Sequence, residues 1–126
     1  MTLSVQEDIT LWQRLATEAK AGSLYLDDSV AKRCQSAISS QIDVYRACLA
    51  GLEQLSNVTG LGDFECGKEL AKLLGLKAID PAGDGDLSSA LKDHIRVLEL
   101  MADTIQSSID RLQEQDSTNS QAYNQI

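Results

Sequence analysis

The chain has 126 residues, with 19 acidic side chains against 11 basic ones and a net charge of -8. That length fits one domain with one modest core, and 43% hydrophobic with 24% charged residues excludes global disorder. A single proline and 4% aromatic residues argue against β-sandwiches, barrels and base-stacking platforms, and the acidity disfavours nucleic acid and anionic membranes as partners.

The first helix is predicted to open at Ser4, because Ser4-Val-Gln-Glu7 is a capping-box pattern. Val5, Ile9, Trp12, Ala16 and Ala19 then fall on one stripe, and Gly22-Ser23 ends the run. Leu24-Tyr25-Leu26 reads as a short apolar connector, after which Asp27 or Asp28 can cap a long second helix to about Leu55. Ala31, Cys34, Ile38, Gln41, Tyr45, Cys48, Leu52 and Leu55 step by three and four, which is a heptad seam. Val30, Ala37, Ile42 and Leu49 widen it. Gly51 inside this run implies close approach of another backbone.

Residues 56–62 break the helix, and Asp63 is expected to cap a shorter one carrying Phe64, Leu70, Leu73 and Leu74. Residues 78–85 read as a loop, with Asp84 and Asp86 supplying turn and cap chemistry. A last long helix runs from near Asp86 to about Gln115, with Leu87, Leu91, His94, Leu98, Met101, Ile105 and Leu112 as its seam. The expected fold is all-α: an elongated antiparallel helical hairpin or bundle of two long helices plus two shorter helices. Residues 1–116 form a single helical domain, and residues 117–126 a polar flexible tail.

No catalytic, metal or cofactor-binding constellation is legible. Cys34, Cys48 and Cys66 are an odd set without a C-x-x-C pair, so they read as reduced, small buried hydrophobes. His94 is the lone histidine, with no nucleophile that the sequence places beside it. A calcium loop opening at Asp80 fails, because Ala82 and Leu91 stand where oxygen ligands are required. Gly62–Lys68 has the opening spacing of a phosphate loop, but Glu69 stands at the hydroxyl position. The N-terminus lacks the basic start and apolar run of a signal peptide, and no stretch is long enough to span a membrane. The expected location is therefore the cytoplasm, or outside it by a route without a cleaved signal. Acidic residues Asp93, Glu99, Asp103, Asp110 and Glu114 dominate the last helix and would suit a basic partner helix. Trp12, Tyr45, Leu98 and Met101 are the candidate protein-interface residues.

Leu61-Gly-Asp-Phe-Glu-Cys-Gly67 resembles the G-F-G-x-F-x-S-G corner of small helical proteins of actinobacterial type VII (ESX) secretion, the WXG100-related superfamily. The short helix after it and the last long helix, which ends in an Asp-containing tail, extend the likeness over roughly residues 24 to 122. The Trp-x-Gly turn is absent, since Trp12-Gln-Arg lies within a helix, and Leu112 stands where the export signature Tyr-x-x-x-Asp/Glu has tyrosine. The resemblance implies a helical, non-enzymatic protein without a cofactor that binds another helical protein or a secreted toxin or effector. It further implies an accessory, chaperone-like or co-exported partner, of heterodimeric or homodimeric habit, in place of the signal-bearing subunit. Two other readings remain open: a self-assembling structural or regulatory bundle, and a small enzyme or metal protein using His94.

Overall fold

A computed structural model describes residues 4–24, 26–83 and 85–124, with side chains to residue 122. Tyr25 of the expected connector, Asp84 of the expected loop and the Tyr123 side chain lie outside the described residues. The described residues form four helices and no strand: α1 (Val5–Lys20), α2 (Asp28–Ser56), α3 (Glu65–Ala78) and α4 (Leu87–Asn124). The all-α expectation holds.

Local chemistry sets most of the boundaries. The Glu7 amide donates to Ser4 Oγ and the Ser4 amide to Glu7 Oε2, both at 3.2 Å, so the capping box is closed from both sides. At the other end of α1 the Ser23 amide reaches the Glu18 carbonyl and the Gly22 amide the Ala19 carbonyl. This Schellman pairing needs a left-handed residue, which Gly22 supplies at φ +81°. Asp27, not Asp28, caps α2: its Oδ1 accepts from the Ser29 and Val30 amides and from the Ser29 hydroxyl. Asp86 caps α4 in the expected way. Its Oδ2 takes the Ser89 amide and also the Asp80 amide at 3.0 Å, so one carboxylate ties the loop to the helix start.

Two boundaries differ from expectation. Phe64, not Asp63, occupies the N-cap of α3, with no side-chain cap bond. Asp63 comes one residue too early. The tail expected from Ser117 onward is instead helical to Asn124. No glycine or proline interrupts α4 between Leu87 and Asn124, and Gln115 bonds Asn119 one turn on, so nothing in the chain stops the helix.

The chain divides into two compact units, one comprising Met1–Gln41 with Arg96–Ile126 and the other Ile42–Ile95. Long helices α2 and α4 each contribute a stretch to both units. In the first unit Gln35 donates to Gln106 at 2.7 Å, and Asp28 and Lys32 share a cavity with Leu112 and Asp116, so α2 and α4 run antiparallel. α4 is buried on two sides there. Its Thr104 and Ser108 are 1% and 0% exposed, and Ala19 and Ala31 are as deeply buried, with Ala16, Ile38, Leu100, Ile105 and Ile109 around them. Thr104 Oγ1 donates to the Leu100 carbonyl at 2.8 Å, while Ser108 Oγ has no partner among the described residues. In the second unit Leu52, Gly75, Ala78 and Ile95 are buried.

Helix α2 turns a different flank inward than the seam reading expects. Ala31, Ile38 and Leu52 are buried and Tyr45 half-buried, but Cys34, Gln41, Cys48 and Leu55 are exposed. The inward flank is Gln35, Ile42, Leu49 and Ser56, of which Ile42 and Leu49 fall on the expected stripe, while Val30 and Ala37 on its other edge are exposed. A residue shared every seven positions can pair with either its i+3 or its i+4 neighbour, and the bulk of Ile42 and Leu49 selects the second. Cys34 and Cys48 are consequently exposed, and Cys66 in the first turn of α3 is exposed as well, all three against expectation. His94 and Leu87 on α4 are exposed as well, and Ile95 is the buried residue at that turn.

Helix α3 reverses the expected pattern. Gly67, Ala71, Gly75 and Ala78 face inward, while Leu70, Leu73, Leu74 and Phe64 are exposed. A Cβ on Gly75 would overlap the Ser56 carbonyl oxygen, and one on Gly67 would overlap that of Leu61. Small residues are the ones that permit this approach. Gly51, by contrast, has nothing among the described residues within 4 Å of a Cβ, so the expected close approach is absent.

Gly51→Ala should therefore raise stability by about 1 kcal/mol, and Gly75→Ala should lower it by about 1–3 kcal/mol; urea unfolding of both variants checks the pair. A second prediction concerns acid. The Ser29 hydroxyl, with the Val30 and Ser29 amides, lowers the Asp27 pKa; bonding from Ser89 and from the Asp80 amide lowers that of Asp86. Depressed carboxylates stabilise the fold above the unfolded value near about 4 and lose that contribution as pH falls through the folded value. The melting-temperature gap between the native chain and an Asp27→Asn/Asp86→Asn variant should be widest at neutral pH, begin to narrow below about pH 4 and close only as pH falls through the lowered folded values.

Candidate functional site: an apolar groove in the first unit

Three chain segments and one connector of the first unit enclose an apolar groove of about 390 Å³. Helix α1 supplies Trp12 and Leu15, and the connector supplies Leu24 and Leu26. Helix α2 contributes Val30, Cys34 and Ala37 at the rim, with Ala31 and Ile38 deeper, and α4 forms the floor with Met101, Thr104 and Ile105. The volume lies within the range of ligand and peptide sites, and no charged side chain lines it.

The groove follows from how α1 and α2 are built. Ala16 and Ala19 are the buried residues of α1, so its larger apolar residues, Trp12 and Leu15, stand half-buried at the edge. On α2 the inward flank leaves Val30, Cys34 and Ala37 on the outer side, 43% exposed at Val30. Apolar surface is thus left uncovered between two helices that share α4 as a floor. At the Leu26 end the groove adjoins a second cavity bounded by Asp27, Asp28, Lys32 and Asp116, three carboxylates against one ammonium. Asp28 and Lys32 are paired at 3.2 Å.

The four residues singled out from sequence separate. Trp12 and Met101 both line the groove. Leu98 is half-buried in the same unit but is not part of the lining. Tyr45 lies in the second unit, its ring 6.1 Å from that of His94. Leu15, Leu24, Leu26, Val30 and Cys34 were missed as site residues. Their signal was present as apolar residues clustered at the α1–α2 turn, but a groove made from three segments has no periodicity of its own.

Among the described residues no group of three or more His, Cys, Asp and Glu side chains is placed to hold a metal ion. No helix among them is long and apolar enough to cross a membrane. Comparisons with protein-family models, with curated proteins and with solved structures find no match.

Because all three cysteines are exposed, each should react with a thiol reagent in the folded protein without denaturant. A native titration that counts three thiols checks this; a thiol that reacts only after denaturation would place that cysteine inside the fold.

Proposed function

We propose that the chain is a non-enzymatic binding protein whose groove takes an amphipathic helix from another protein. In this reading it serves as an accessory, chaperone-like or co-exported partner in type VII secretion. The observation that carries the binding function is the uncharged groove between α1 and α2. Helix-in-groove recognition uses apolar anchors spaced at i, i+3, i+4 and i+7, and a three-walled apolar trough suits them. Burying those anchors contributes about 25 cal/mol per Å² of apolar surface, less the ordering of both chains. Trp12 is the natural anchor on the groove's own side.

The secretion context rests on the sequence resemblance at Leu61–Gly67. The corner it marks carries left-handed glycines at Gly60 and Gly62, each at φ +89°, and leads into α3. A partner helix with basic flanks would be favoured by the carboxylates at the Leu26 end.

The test uses Cys34, an exposed thiol on the groove rim. A photo-crosslinker placed there should capture a helical segment of a secretion-system partner, whereas one placed on the exposed Cys48, which is not part of the groove lining, should not. Ala37→Glu should abolish capture while leaving the helical circular dichroism intact. Equal capture from both positions, or capture that survives Ala37→Glu, would sink the reading.

A further inference from the structure

We infer that the groove also accepts helix α3 from a second copy of this chain, an inference that rests on the groove being a helix-docking site. The outward face of α3 carries Leu70, Leu73, Leu74 and Lys77 at i, i+3, i+4 and i+7. Its three leucines are 49%, 58% and 46% exposed, while the glycines and alanines of the same helix face inward. The spacing is that of a helix made to enter a groove. The chain therefore holds both an uncovered apolar trough and an uncovered apolar ridge.

Charge selects the direction. The trough opens at Leu26 onto Asp27, Asp28 and Asp116 with Lys32, a local net charge of -2 from three carboxylates and one ammonium. Lys77 lies at the C-terminal end of the ridge, one helical turn beyond Leu73 and Leu74. A second copy docked with the C-terminal end of its α3 toward Leu26 seats the leucines on Trp12, Val30 and Met101 and brings Lys77 to the carboxylates. The reverse direction brings Glu65, Lys68 and Glu69 there instead, a net charge of -1. Each contact joins unlike surfaces, so it is heterologous. Two copies of charge -8 repel at long range, and physiological salt shortens that repulsion to about 8 Å.

The test is sedimentation of the full chain at physiological ionic strength over increasing concentration. The average mass should rise above one chain. Leu73→Glu removes the ridge and Ala37→Glu blocks the trough, both at exposed positions, so each variant should stay monomeric with unchanged circular dichroism. An equimolar mixture should regain a complex of two chains and no more, because one variant keeps the trough and the other the ridge. Should Ala37→Glu fail to fold, Val30→Glu replaces it. Monomer at every concentration, association indifferent to either variant, or a mixture that stays monomeric overturns the inference. If the native chain stays monomeric yet Cys34 still crosslinks to a partner helix, only the self-docking fails; loss of both results removes the groove reading as well.

Discussion

Small side chains at the helix contacts are the constraint from which the other features follow. In the first unit Ala19, Ala31, Thr104 and Ser108 are at most 1% exposed, and the larger Ile38, Leu100, Ile105 and Ile109 are buried beside them. In the second, α3 turns Gly67, Ala71, Gly75 and Ala78 inward. Helix separation depends on the side chains at the contact, and small ones bring axes together. Some larger apolar residues of the same helices are left at the edges of those contacts. Trp12 and Leu15 at the groove and the leucines of α3 are two results of one packing rule.

That rule explains what was legible in the sequence. The capping box at Ser4, the start of α2 and the Asp86 cap depend on residues within three or four positions of each other, so local pattern suffices. The direction in which a helix faces does not. On α2 the shared positions 31, 38, 45 and 52 leave two flanks open, each carrying apolar residues, and the packing favours the one with the bulkier Ile42 and Leu49 over the one with Val30 and Ala37. On α3 the usual weighting of leucine over alanine pointed to the wrong face, because it ignores how close the Ser56 carbonyl comes. The end of α4 differs for another reason: polar composition suggests a flexible tail from Ser117, yet no residue there breaks the helix.

The candidate site divides along the same line. Trp12 and Met101 were legible as large apolar residues on amphipathic stripes, but their meeting across α1 and α4 was not. Tyr45 and Leu98 fitted the stripes equally well and lie elsewhere. Cys34 passed as a core residue because cysteine is commonly buried, yet here it belongs to the rim. An acidic chain with an uncharged trough gains selectivity from what surrounds the trough: apolar anchors supply contact, and the carboxylates beyond Leu26 discriminate by sign.

Trp12 is the only tryptophan in the chain, and it stands half-buried in the wall of the groove. The indole is therefore a built-in optical reporter of that one place. Any occupant that displaces water from the trough changes the polarity around the ring, and no second indole elsewhere dilutes the emission change.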